Sequence, residues 1–183
     1  MDKKEEFISR ITGEYGVNCG ICDVDKKIFH AELRGACEVN TCGNFGKCYT
    51  CPPFTGEAEE CIEKASSYKT VIVYQKIYPL EDSYDFYGMV EAGKEFHSVI
   101  QAVSALAKEK FRSPLTLGAG GCRLCESCAA KTGEPCRHPD ITVASLESYC
   151  IQVSELAALA GMKYINGQNT VTYFGGIFLG EEE

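Results

Sequence analysis

The chain of 183 residues carries 18 Lys and Arg against 26 Asp and Glu, a net charge of −8. No basic stripe is present, and phosphate neutralisation needs clustered cations, so nucleic acid is excluded as an expected partner. An apolar fraction of 45% fits a soluble protein with a sizeable core, while no run of about 18 apolar residues exists to span a membrane.

Met1 opens a charged stretch, DKKEEFISR, without the apolar run of an export signal. The expected compartment is the cytoplasm, where twelve cysteines serve as metal ligands or redox groups more naturally than as disulfides. A low-oxygen cell is the expected setting for such thiol chemistry.

Lys4 to Thr12 reads as an amphipathic helix with Phe7, Ile8 and Ile11 on one side and Gly13 as its stop. Cys19-x2-Cys22 follows, open to three readings: half a zinc site, a dithiol pair, or two buried thiols. From Cys37 to Phe54 the chain reads CEVNTCGNFGKCYTCPPF. This first large thiol group holds Cys37, Cys42, Cys48 and Cys51. Its Gly43, Gly46 and Pro52–Pro53 exclude a continuous helix and favour tight turns. Such turns bring backbone N–H groups towards thiolate or sulfide. A rival partition joins Cys19 and Cys22 with Cys48 and Cys51 in a zinc ribbon, which leaves Cys37 and Cys42 without a role.

Glu57 to Ser66 reads as a helix, with Cys61 as a small buried group. Thr70 to Tyr78 is the clearest strand, β-branched and aromatic, closed by Pro79. Val90 to Phe111 carries the apolar spacing of a long helix ending before Pro114, and His97 on it reads as structural or solvated. Pro114 to Leu117 is a short strand. It runs into Gly118–Gly121 and the second thiol group, GCRLCESCAAKTGEPCRHP.

In that group Cys122, Cys125, Cys128 and Cys136 follow a C-x2-C-x2-C-x7-C spacing. Three thiols at every third residue cannot pair sensibly as disulfides, but they can hold three corners of an iron–sulfur cubane, with Cys136 as the fourth ligand. Bacterial ferredoxins use a related run. The flanking glycines match neither a P-loop nor a dinucleotide fingerprint; close folding of backbone over a cluster explains them. His138 reads as support beside Cys136. Ser145 caps a helical turn, Ser154 to Ala160 forms a helix stopped by Gly161, and Lys163–Ile165 with Thr170–Leu179 form a hairpin around Asn166–Asn169. Glu181 to Glu183 make an acidic tail.

The expected architecture is α+β: a small mixed sheet with packed helices and cysteine-rich loops, in one globule. Residues 1–67 form a cysteine-rich N-terminal segment, and 68–183 an α/β unit with an inserted cluster-binding loop.

The combination of C-x4-C-N-F-G-K-x3-C-P-P-F, G-G-C-R-L-C-E-S-C, P-C-R-H-P and S-L-E-S-Y resembles the cysteine-rich "predicted metal-binding protein" family of unknown function. That family occurs in anaerobic bacteria and methanogenic archaea. The resemblance implies metal binding, with Cys37, Cys42 and Cys51 in one motif and Cys122, Cys125, Cys128 and Cys136 in another. Cys48 and Cys150 depart from the common pattern, the latter standing where glycine is usual. The fourth ligand of the first site is therefore Cys48, Cys19 or Cys22.

The leading expectation is one or two [4Fe–4S] clusters on these eight cysteines, passing electrons to a protein redox partner. Lys47, Arg123 and Arg137 beside the ligands would favour the reduced state. Two alternatives stand beside it. One is a zinc-binding structural or interaction module; the other is an enzyme whose cluster keeps an open iron site. No Ser-His-Asp set, zinc-protease motif or paired carboxylates indicates an autonomous catalytic apparatus.

Overall fold

The strand β2 (Thr70–Pro79) is apolar on both faces, and the computed structural model buries both. The structure describes residues 2–181; the tail residues Glu182 and Glu183 lie outside them. Side chains alternate across a strand. Val71 and Val73 therefore enter one hydrophobic cluster while Ile72 and Tyr74 enter another.

β2 pairs antiparallel with β1 (Asn18–Asp23) on one side and with β5 (Thr170–Leu179) on the other. β5 pairs antiparallel with β3 (Leu115–Gly118), which pairs in parallel with the two-residue β4 (Ala144–Ser145). The result is a mixed five-stranded sheet in the order β1-β2-β5-β3-β4. Helices α1 (Lys3–Tyr15) and α4 (Phe86–Lys110) cover one face with Phe7, Ile11, Phe96, Ile100 and Val103. Helices α3 (Ala58–Ser66) and α5 (Val153–Leu159) cover the other with Cys61, Ala65, Leu156 and Ala157. This is the expected α+β class.

Close packing fixes one glycine. A Cβ at Gly175 of β5 would meet the Tyr74 ring at 2.2 Å. The fully buried ring occupies the space that any side chain there would need.

Several boundaries differ from those read in the sequence, each for a local reason. α1 continues past Gly13 to Tyr15, because the left-handed cap is supplied by Gly16 at φ +63°. α4 begins at Phe86, because the Asp85 carboxylate accepts the Gly88 N–H at 2.7 Å and caps the helix. Lys163–Ile165 is not a strand. The Asn166 amide instead donates to Lys163 O at 3.0 Å and to Thr172 Oγ1 at 3.1 Å, so this segment turns into β5. β5 finds its partners in β2 and β3, and the hairpin does not form.

Among the elements not expected are β1, α2, β4 and one-turn helices at Lys26–Ile28 and Ala129–Lys131. β1 has the sequence NCGICD, with no run of β-branched residues, yet edge pairing to β2 makes it a strand. α2 (Leu33–Val39) precedes the turns of the first thiol group, so Cys37 sits on a helix.

His30, between β1 and α2, ties this region to α5: its Nε2 lies 2.7 Å from Glu155 Oε2 and its Nδ1 3.5 Å from Glu32 Oε1. The hydrogen bond to Glu155 raises the His30 pKa above its ordinary value. The folded state therefore binds the proton more tightly, and the contribution to stability is complete below the unfolded value of about 6.5. It is lost as pH rises through the elevated folded pKa. Thermal melts of His30→Gln against the parent are expected to show a lower midpoint at about pH 6 and convergence at about pH 9.

Candidate metal centre

All twelve cysteines are free thiols. Eight of them gather where the C-terminal end of β3 meets the turns that follow α2, and they divide between two cavities and the wall separating them.

The second thiol group is a loop that closes on itself. Cys122, Cys125, Cys128 and Cys136 all line one small cavity of about 20 Å³, together with Tyr49, Thr50, Leu124, Ala129, Arg137, His138 and Thr142. The four expected ligands are thus brought together, with no carboxylate in the wall. The loop is anchored from outside. The Cys122 N–H donates to Thr50 Oγ1 at 3.1 Å, the Arg123 N–H to His97 Nε2 at 3.2 Å, and the Tyr49 hydroxyl to Glu134 O at 2.6 Å. Within it, Arg137 Nη1 donates to Ser127 O at 3.0 Å. Burial holds the His97 pKa below its ordinary value, and the Arg123 cation adds to this. A neutral imidazole is what can accept the Arg123 N–H.

The first thiol group opens on a larger cavity of about 260 Å³. Cys37, in the last turn of α2, Cys42 in the following turn and Cys51 beside the Pro52–Pro53 pair line it, with Asn44, Phe45, Gly120, Gly121, Ser145, Glu147 and Ser148. The backbone of the second group's approach forms part of its wall. A Cβ at Gly121 would sit 2.9 Å from the Asn44 amide, so glycine lets the two loops meet. Glu147 keeps an exposed surface, and desolvation by the surrounding protein raises its carboxyl pKa.

Cys48 lines neither cavity. It is buried, 3.3 Å from Thr50 Oγ1. A hydrogen bond from Cys51, then contacts to Thr50 and to the Cys122 N–H, lower its pKa to about 5 against the cost of burial. The same contact pushes Cys51 far up. Thr50 touches both groups, since its hydroxyl contacts Cys48 and accepts the Cys122 N–H.

Cys19 and Cys22 are removed from the site. They lie on β1, and residues three apart on a strand face opposite sides. Cys19 packs with the α1–α4 cluster, where Thr12 Oγ1 donates to its sulfur at 3.6 Å. Cys22 packs with the α3–α5 cluster. The zinc-ribbon partition and both residues as fourth ligands fall with this geometry.

Cys61 is buried, its thiol donating to Thr55 O at 3.2 Å. Cys150 is buried at φ +58°, the left-handed region that favours glycine. Arg34 links this corner to α2: it donates to Gly56 O at 2.7 Å and Ser148 O at 3.1 Å, and lies 3.7 Å from Cys61 Sγ.

Thr50, Tyr49, His97, Arg34 and Glu147 were not singled out as partners of the thiol groups by the sequence. Thr50 and Tyr49 had a signal, since they stand between Cys48 and Cys51. Glu147 had one in the S-L-E-S-Y stretch; His97 had none, because α4 brings it from a distant part of the chain.

The residues fit a bound metal: soft thiol donors, cavities walled by them, and backbone packed too closely for a side chain at Gly121. Fold and site together define an α+β protein with two adjoining thiol-walled cavities. The chain belongs to the family described as "Predicted metal-binding protein (DUF2284)", which matches residues 21–179. No curated protein and no solved structure matches it. Among the described residues, no helix is long and apolar enough to cross a membrane.

Proposed function

We propose that this metal-binding protein is an iron–sulfur protein that exchanges electrons with a partner protein in the cytoplasm. One [4Fe–4S] centre would be held by Cys122, Cys125, Cys128 and Cys136, and a second by the group around Cys37, Cys42 and Cys51. The observation that carries this reading is the cavity walled by four thiols of one loop.

Thiolate tetrads suit zinc as well as iron–sulfur clusters. Spacing favours the cluster. A tetrahedral zinc draws its sulfurs to about 2.3 Å from one point. A cluster offers several metal corners and accepts donors that stand further apart.

When bound, the cluster supplies one-electron redox chemistry. The chain's part is to hold and tune it. Thr50 and His97 fix the loop through the Cys122 and Arg123 N–H groups. Arg137 and His138 line the cavity, and a cation there favours the more negative, reduced state. The net charge of −8 would steer a partner that presents a basic face. EPR spectra of protein reduced under anaerobic conditions, with a potentiometric titration, test the role. A reversible one-electron signal is expected; a colourless protein without a reducible centre would overturn it.

A second reading rests on a different observation. The Cys37 cavity, at about 260 Å³, has room for a small molecule beside its thiols. An enzyme with an open metal position needs such room.

A further inference from the structure

The first thiol group presents three sulfurs, not four, to its cavity. Cys37, Cys42 and Cys51 line it, and Cys48 does not. The Cys48 sulfur is buried in the wall between the two groups, 3.3 Å from Thr50 Oγ1. Bringing it to a metal in the cavity would break that contact, whereas the Cys122 N–H bond to Thr50 does not depend on Cys48.

A different donor faces the cavity. Glu147 lies on its wall, on a one-turn helix from Glu147 to Tyr149 that directly follows β4. That turn is held firmly. The Ser148 N–H donates to Ser145 Oγ at 3.1 Å, the Ser148 hydroxyl donates to Ser145 O at 2.7 Å, and the Leu146 N–H donates to Gly118 O at 2.9 Å. Glu147 lines the same cavity as Cys37, Cys42 and Cys51. A carboxylate oxygen is an accepted ligand to iron and to zinc, and is harder than thiolate.

We propose that Glu147, and not Cys48, completes the metal site formed by Cys37, Cys42 and Cys51, while Cys48 forms the partition between the two centres. The assignment rests on the metal-centre reading above and names its missing donor. A metal held by Glu147 would carry its most displaceable donor there, where a small external ligand could compete with the carboxylate. Three thiolates and one carboxylate, unlike four thiolates, give a centre with one distinguishable metal.

The test uses full-length protein purified anaerobically, with metal and acid-labile sulfide analysis, EPR and Mössbauer spectra. The variants are Cys48→Ala, Glu147→Gln and Glu147→Cys. Cys48→Ala is expected to keep the full metal complement. Glu147→Gln is expected to lose about one iron in four from this centre, with a three-iron EPR signal in the oxidised state, and Glu147→Cys to restore it. Metal loss in Cys48→Ala with retention in Glu147→Gln overturns the assignment, as does full retention in both. If both lose metal, failure of Glu147→Cys to restore it overturns the assignment and restoration upholds it. The centre on Cys122, Cys125, Cys128 and Cys136 serves as an internal control for folding. Zinc without sulfide in the parent protein would defeat the iron–sulfur reading alone; zinc equivalents in the same variants would still decide between Glu147 and Cys48.

Discussion

Replacing Cys125 by serine is expected to remove the metal centre of the second thiol group and to leave the sheet intact. Cys125 lies in a loop whose only regular structure is one short turn, and its side chain lines the cavity rather than the core. Serine has nearly the same shape, so the fold loses little. Its oxygen is a poor donor to a soft metal and, unlike a thiol, does not readily give up its proton to bind one. Metal per chain should fall by about half if both centres fill, corresponding to about four irons and four sulfides for a cubane. Cys61→Ser supplies the control. Cys61 lines neither cavity and hydrogen-bonds to a backbone carbonyl, so metal content should stay at the parent level. Equal loss in both variants would mean that the effect is general destabilisation.

Phe178→Ala is expected to be the most damaging single truncation in the core. Phe178 is fully buried on β5, paired opposite Val71 of β2 and Leu115 of β3, with its ring edge against Tyr68 at 6.4 Å. Removing a ring from such a site costs about 3–5 kcal/mol, combining lost transfer energy with the cavity left behind. Against a total stability of about 5–15 kcal/mol, that is a large share. Urea unfolding should show a clearly lower midpoint with an unchanged slope. A shift below about 1 kcal/mol would mean that neighbours collapse into the space.

The sheet's centre was legible from the sequence because burial on both faces demands an apolar, β-branched and aromatic run, as in Val71–Tyr74. β1 was not, since NCGICD takes its strand form from β2's free edge rather than from its own residues. The same contrast holds for the site. Cys122, Cys125, Cys128 and Cys136 lie on one loop, so their spacing alone carries their proximity. The first group is assembled from α2, two turns and the segment after β4. Parallel pairing of β4 with β3 places Glu147 on the same cavity wall as Cys37; the S-L-E-S-Y stretch marked the segment but not its meeting with the first thiol group. Placement of Cys19 and Cys22 likewise depended on knowing that they lie on a strand. Their C-x2-C spacing looks like a ligand pair only where the backbone turns between them.

The central claim is that thiol-walled cavities hold iron–sulfur centres. Iron, zinc and acid-labile sulfide measured on one anaerobically purified sample test it most directly. The account predicts iron and sulfide in equal amounts, about four of each per filled centre, with zinc below stoichiometry. Stoichiometric zinc with no labile sulfide would contradict it.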